Sequence, residues 1–165
     1  MFDPTTLLGS HTWLSLIGLA TGFVVLAGLV QSKPLDGWTA AFLLTTVLTS
    51  ATGFGLPADQ LLPSHLVGAI SLVVLAAAIL ARYVFRLAGP WRWIYVIGAM
   101  AALYLNAFVG VVQAFRKVPA LNALAPTESE PPFAAAQGIV LVAFVILTVW
   151  AIRAFRPAAP ARLAA

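Results

Sequence analysis

Residues 5–30, TTLLGSHTWLSLIGLATGFVVLAGLV, contain no charged side chain. A helix needs about 20 apolar residues to cross the hydrocarbon core of a bilayer, which is roughly 30 Å thick. This segment is long enough, so it predicts a transmembrane helix that the mature chain retains. The fold depends on how often the same pattern recurs along the sequence.

The composition of the whole chain points to a membrane protein. Of its 165 residues, 62% are hydrophobic and 8% are charged, and the mean hydropathy is +1.00. Soluble domains average about 45–50% apolar and 25% charged residues. A water-soluble fold could not bury so much apolar surface, which excludes a cytosolic enzyme. The absence of cysteine excludes disulfides, thiolate catalysis and Cys-ligated metal sites.

Breaks containing proline or glycine divide the chain into five apolar segments. We predict spans at about 5–30, 38–54, 64–85, 91–115 and 133–155. The second is short and rich in threonine, whose hydroxyl can bond within its own helix or to a neighbour. Because most loops are short, residues 1–156 are expected to form one all-α domain, a monomeric five-helix bundle with antiparallel neighbours. Residues 157–165 are expected to be a disordered cytoplasmic tail.

The basic residues indicate the direction of the spans. With the N-terminus outside, seven basic residues face the cytoplasm and two, Arg116 and Lys117, face outward. The seven are Lys33, Arg82, Arg86, Arg92, Arg153, Arg156 and Arg162. The positive-inside rule therefore predicts a periplasmic N-terminus and a cytoplasmic C-terminus. Basic residues at segment ends, rather than on one face, also exclude a nucleic-acid partner.

One loop is long, the outer segment 116–132 with its four prolines. Pro119 could start a helix of one to two turns on the membrane surface. The segment is either a stiff linker or a lid over an outward-facing pocket, and both interpretations stay open. In the lid interpretation, Leu121 and Leu124 would be shielded by the bundle.

Small residues recur at helical spacing on several spans. Close packing of helices in lipid uses small residues, so we predict helix–helix contacts at these positions. They are Gly18 and Gly22 on the first span, Gly68 on the third, and Gly98, Ala102 and Gly110 on the fourth. The pattern does not distinguish packing within one chain from association of two copies.

Few polar side chains fall inside the spans, and they converge on one level. His11 and His65 lie in the outer turns of the first and third spans, with Ser15 one turn below His11. Asn106 and Gln113 on the fourth span and Gln137 on the fifth point to the same level. Polar groups in hydrocarbon usually face the bundle interior, so an outward-facing polar pocket is predicted there.

Three functions remain compatible with this pocket. The first is a non-enzymatic accessory protein or a binder of an unidentified small ligand, with the histidines hydrogen-bonded structurally. The second is a redox protein with heme b held between His11 and His65, the glycines leaving room for a flat macrocycle. The third is permeation of a small molecule or ion. No catalytic set and no metal-binding motif is evident, so an enzyme is disfavoured.

Two local sequence features resemble known proteins. The residues Leu62-Pro63-Ser64-His65 with Gly68, Leu105-Asn106, Gln113-Ala114-Phe115 and stretches of 117–133 resemble uncharacterised small multi-pass inner-membrane proteins of bacteria. That resemblance implies a bacterial inner-membrane location and nothing catalytic. The partners expected for the chain are the lipid bilayer, an unidentified small ligand, and either a second copy or a larger membrane complex. The positions of His11 and His65 also resemble those in small bacterial membrane proteins suspected of handling heme or electrons.

Overall fold

The computed structural model describes residues 3–57 and 63–157, and every regular element in them is helical. The predicted tail beyond Pro157 lies outside the described residues. The helices are α1 (Leu7–Val30), α2 (Asp36–Gly53), α3 (Pro63–Ile79), α4 (Trp91–Lys117), α5 (Pro119–Leu124) and α6 (Pro131–Ala154). A π-helical turn, Leu80–Val84, extends α3.

Four helices are long and apolar enough to cross a membrane. They cover Leu7–Val30, Ser64–Val84, Trp91–Lys117 and Pro131–Ala154, which supports a multi-pass membrane protein. The second predicted span corresponds to α2, which has 18 residues but includes Asp36 and five threonines. Its composition is more polar than that of the other four, and its crossing of the membrane stays a prediction.

The bundle is arranged around α4. This helix packs against α1, α3 and α6, while α2 packs against α1 and α3. The largest fully buried side chains include Tyr95, Met100 and Leu103 of α4 and Phe42 of α2. Large apolar side chains such as Val73 and Ile139 are instead about 70% exposed, as expected for surfaces that face lipid tails rather than water.

Asp3 and Pro4 are residue types that commonly cap and begin a helix, yet α1 starts later in the chain, at Leu7. Thr6 is the N-cap, and its hydroxyl accepts a hydrogen bond from Gly9 N at 3.0 Å. The Asp3 carboxylate instead accepts from the backbone N–H and hydroxyl of Thr5. A threonine hydroxyl can accept a hydrogen bond from an unpaired backbone N–H as an aspartate carboxylate would. Thr6, three residues after Asp3, therefore serves as the N-cap.

The outer segment contains the short helix α5 directly after α4. Pro119 stands at its first turn, and α5 packs against α4. Leu121 is half-buried, whereas Leu124 is 56% exposed. An ion pair between Arg116 and Glu128 closes the segment back onto the end of α4. The segment therefore forms an ordered turn beside α4, which does not bury both leucines as a lid would.

Candidate functional site

A layer of polar side chains connects α1, α2 and α4 near the N-terminal end of α1. We call this the polar layer and define it as His11, Ser15, Thr49, Thr52 and Asn106. Ser15 Oγ donates to Asn106 Oδ1 at 3.0 Å, and Asn106 Nδ2 donates to Ser15 O at 3.2 Å. These two hydrogen bonds join α1 to α4. Asn106 is buried at this contact and is 8% exposed.

Gly18, one turn below Ser15, allows α2 and α4 to approach α1 closely. A Cβ added to Gly18 would lie 3.1 Å from Thr46 Oγ1, 3.2 Å from Asn106 Nδ2 and 3.3 Å from Thr45 Oγ1. Three polar atoms from two helices thus converge on the bare backbone of Gly18. Small residues permit this kind of close, partly polar helix contact in membranes.

His11 connects α1 to the C-terminal end of α2. Its Nδ1 lies 3.1 Å from Thr52 Oγ1. Thr52 Oγ1 in turn donates to Leu48 O at 2.7 Å and approaches Thr49 O at 3.2 Å. The His11 ring also lies over Gly53, because a Cβ there would be 3.5 Å from His11 Cε1.

Two polar atoms of the predicted pocket region are buried without a partner among the described residues. Thr49 Oγ1 lies in the polar layer, and Gln137 Oε1 lies between α6 and α4. Gln137 Nε2 does have a partner, since it donates to Phe108 O at 3.2 Å. An unsatisfied buried polar atom costs about 1–3 kcal/mol, so the two atoms are unfavourable for stability in the structure as it stands.

His65 contacts the same end of α2 from the opposite side. Its ring centroid lies 5.6 Å from that of Phe54. A Cβ on Gly68 would lie 3.3 Å from Phe54 Cε2, so Phe54 fills the space beside this glycine. The structure therefore places the two histidines at one end of α2, but with α2 and Phe54 between the helices that carry them.

This arrangement does not fit heme between His11 and His65. A Cβ on Gly22 would overlap Leu103 Cδ1 and lie 2.9 Å from Phe42 Cε2, and Gly18 and Gly68 are covered as described. The space beside these glycines, which was expected to hold a macrocycle, is filled by side chains of α2 and α4 and by Phe54.

The remaining predicted residues divide between packed and exposed positions. A Cβ on Gly98 would lie 3.0 Å from Ala78 Cβ, and Ala102 is fully buried, so both lie in helix contacts. Gly110 has nothing within 4 Å of its Cβ position, and Gln113 is exposed. These last two residues lie away from the polar layer.

A second polar cluster lies at the other end of the bundle and was missed in the sequence. Arg82, one of the basic residues expected to face the cytoplasm, is buried with its side chain 5% exposed and pairs with Asp36. Its guanidinium also donates to Pro34 O at 3.0 Å and lies 5.0 Å from the Tyr95 ring centroid. The sequence signal that could have indicated this cluster is Asp36, an acidic residue in the first turn of α2.

Between the two clusters large apolar side chains fill the bundle, and the buried hydroxyls of Thr21 and Thr46 bond within their own helices. Phe42 of α2 and Leu103 of α4 are 1% exposed and meet over Gly22.

No family model, no curated protein and no solved structure matches this chain. The function proposed for it therefore depends on the fold and on the geometry of the polar layer.

Proposed function

We propose that this chain is a five-helix protein of the bacterial inner membrane, with its N-terminus periplasmic and its C-terminus cytoplasmic. In this proposal it acts as a non-enzymatic accessory or small-ligand-binding protein, and the polar layer is its binding site. The observation that carries the proposal is the convergence of polar side chains from α1, α2 and α4 at one level, including the unpartnered Thr49 hydroxyl.

The packing of α2 supports a fifth span. Phe42 and Thr46 are 1–2% exposed, so α2 has a buried face like its neighbours. Its hydroxyls bond to carbonyls of its own helix, Thr45 to Ala41 and Thr46 to Phe42, each at 2.7 Å. Hydroxyls that bond to carbonyls of their own helix lower the cost of placing α2 in lipid, and among the described residues Thr49 is the exception.

The distribution of charge supports the orientation. Arg82, Arg92 and Arg156 lie at one end of the bundle, where Arg92 donates to Ile152 O and Arg156 N donates to Ser32 Oγ. Arg116 lies at the other end and is paired with Glu128. An excess of basic residues at one end is typical of the cytoplasmic side.

The apolar middle favours binding over permeation. Phe42, Leu103 and Met100 are each 1% exposed, and they separate the polar layer from the cluster around Arg82. A molecule bound in the polar layer would meet closely packed side chains rather than a continuous polar path. The proposal therefore assigns the layer to a ligand that enters and leaves at the outer end.

Labelling of single cysteines tests the topology, since the native chain has none. Ser129 and Ala88 are both exposed, in the loops before α6 and before α4 respectively. We expect Ser129→Cys to react with an impermeant maleimide on intact spheroplasts and Ala88→Cys to react only after permeabilisation. The opposite result would reverse the orientation, and reaction of both from outside would remove one span.

Thr49→Val tests the binding site. Valine keeps the shape of threonine but lacks the unpartnered hydroxyl, while Thr46→Val serves as a control whose hydroxyl is used within α2. We expect mass spectrometry of protein purified in mild detergent to detect a bound small molecule in the wild type and in Thr46→Val, and to detect less in Thr49→Val. Equal retention in all three would place the ligand elsewhere.

A further inference from the structure

Hydrogen bonds join three segments of the chain at the basic end of the bundle. Arg156 N, just after α6, donates to Ser32 Oγ, just after α1, at 2.8 Å. Arg92, in the first turn of α4, donates through Nη1 to Ile152 O at 3.3 Å and to Phe155 O. The end of α1, the start of α4 and the end of α6 therefore meet. We call this meeting point the basic junction and define it as Ser32, Lys33, Arg92, Arg153 and Arg156.

The cations of the basic junction have no carboxylate partner. Arg92 donates to backbone carbonyls, and Lys33 Nζ donates to the amide oxygen of Gln31 at 3.0 Å. Arg153 and Arg156 are exposed. Both ion pairs of the described residues involve other side chains. The positive charge of the junction is therefore uncompensated within the described part of the chain, and it attracts anions.

The one acidic residue described at this end does not neutralise the junction. Asp36 follows Lys33 closely in the chain, but its carboxylate pairs with Arg82. Arg86 is also exposed at this end and adds a further cation. The excess of positive charge therefore extends over the whole end of the bundle.

Aromatic side chains place the basic junction at the depth of lipid headgroups. Trp93 follows Arg92 in α4 and is 52% exposed, and its ring centroid lies 5.7 Å from the guanidinium carbon of Arg92. Trp38 and Tyr83, at the same end, are 50–51% exposed. Exposed Trp and Tyr rings concentrate where the hydrocarbon core of a bilayer meets water. The uncompensated cations therefore lie at the level of phosphates rather than beyond the membrane.

We propose that the basic junction binds the phosphate headgroup of an anionic phospholipid. The bond from Arg156 N to Ser32 Oγ holds Arg156 beside Lys33, so two side chains that donate to phosphate oxygens start from neighbouring points of the backbone. Basic sites between transmembrane helices bind such headgroups in other membrane proteins. This site lies at the opposite end of the bundle from the polar layer and does not depend on the function proposed for that layer.

The surface beside the junction favours a lipid over a free anion. Val149 and Trp150, one turn before Arg153 on α6, are 43% and 56% exposed. Together with Trp93 they offer an apolar surface next to the cations. The acyl chains of a lipid held by its headgroup would pack along these side chains, whereas inorganic phosphate has nothing to place there.

Native mass spectrometry of the delipidated full chain in detergent tests the proposal. Tetraoleoyl cardiolipin is the anionic probe and dioleoyl phosphatidylcholine is the zwitterionic one. We expect cardiolipin to remain bound at concentrations at which phosphatidylcholine does not. An excess of inorganic phosphate should not release it, because the acyl chains contribute to binding. Equal binding of the two lipids, or release of cardiolipin by phosphate, would overturn the proposal.

Paired substitutions at the two ends of the chain locate the site. Each basic residue close to an anionic lipid contributes roughly fivefold to binding, so Lys33→Gln with Arg156→Gln should weaken cardiolipin binding by at least about tenfold. The matched control, Arg116→Gln with Lys117→Gln, removes the same charge from the other end and should bind as the wild type does. An equal loss in both double variants would mean that net charge, and not the junction, attracts the lipid.

A charge-preserving variant separates recognition from folding. Lys33→Arg with Arg156→Lys keeps both cations and the backbone bond to Ser32, so it should retain cardiolipin. If this variant and the glutamine variant melt together but bind cardiolipin equally weakly, positive charge at these two positions does not hold the headgroup and the proposal fails. Because lipid reaches both ends of the protein in detergent, none of these outcomes depends on the orientation of the chain in the membrane.

Discussion

Ser15 and Asn106 exchange two hydrogen bonds across the interface of α1 and α4, although 91 residues separate them in the chain. The side chain of each residue takes part, and the carbonyl of Ser15 accepts the second bond. Because the amide of Asn106 is 8% exposed, it would be a costly group to leave unpaired in lipid. This pair fixes the register of the two helices at the level of the polar layer.

The Ser15–Asn106 pair should show energetic coupling. Hydrogen bonds between membrane helices average about 0.6 kcal/mol in double-mutant cycles and reach about 1.7 kcal/mol. We expect the cycle of Ser15→Ala and Asn106→Leu, measured by reversible unfolding in mixed micelles, to give a coupling free energy in that range. Thr148 bonds within α6, so the cycle of Thr148→Val with Asn106→Leu should be additive. Additivity of both cycles would contradict the geometry.

Gly22→Ala should destabilise the bundle. The added methyl would overlap Leu103 Cδ1 and crowd the ring of Phe42, and both side chains are 1% exposed, with little space to move. Overpacking of this kind costs about 1–3 kcal/mol. Gly138→Ala is the matched control, because its Cβ meets nothing within 4 Å. Melting in detergent should separate the two variants, and equal melting would show that Gly22 is not closely packed.

Arg82→Lys should not be a conservative change. The guanidinium pairs with Asp36, donates to Pro34 O and lies over Tyr95, and an ammonium cannot reproduce this planar geometry. We expect a loss of about 1–3 kcal/mol in the free energy of unfolding, since the buried donors lose acceptors. Arg86→Lys, at an exposed position, should change it by less than about 0.5 kcal/mol. An unchanged free energy of unfolding in Arg82→Lys would mean that the cluster has no structural role.

The loop before α6 should loosen in acid. Partial desolvation raises the pKa of Glu130, but hydrogen bonds from Thr127 and Ser129 outweigh this effect, so the pKa lies below its usual value. A carboxylate with a depressed pKa stabilises the fold above its unfolded pKa, and that stabilisation is lost as the pH falls through the folded pKa. Proton chemical shifts of Thr127 and Ser129 should therefore change at low pH. They should not change in this way in Glu130→Gln, and an identical response would exclude Glu130.

Heme supplementation should produce no Soret band. The space beside Gly18, Gly22 and Gly68 is filled by side chains of other helices, so a macrocycle could enter only by separating α2 from its neighbours. Absorbance spectra of protein purified after expression with added heme precursor provide the measurement. A Soret band that His11→Ala and His65→Ala each abolish would show that the helices do separate, and it would restore the redox alternative.

The spacing of small residues explains a difference between α1 and α4. The small residues predicted to pack on α1 lie in helix contacts, whereas those predicted on α4 do so only in part. Successive helix residues differ by about 100°, so spacings of four, three and four from His11 to Gly22 return to within about 20° of the starting direction. Three spacings of four from Gly98 to Gly110 turn about 120° around α4. Gly98 and Asn106 therefore lie in contacts, whereas Gly110 has no neighbour.

The location of Arg82 could not be read from local sequence. A basic residue near the end of an apolar segment ordinarily extends toward the headgroups, and nothing within residues 64–85 opposes that interpretation. The acceptors, Pro34 O and Asp36, come from the loop and first turn before α2. Only the packing of α2 against α3 brings them within reach, so the pairing of the buried Arg82 with the exposed Asp36 depends on tertiary structure.

The long separation between Ser15 and Asn106 has a consequence for how the chain is made. Asn106 follows Ser15 by 91 positions, and at about 5–20 residues per second the ribosome would need about 5–20 s to reach it. During that interval the Ser15 hydroxyl lacks its Asn106 partner, because α4 has not yet been made. The bond that fixes α1 against α4 therefore forms late in synthesis, after the chain of α2 and α3 has been made.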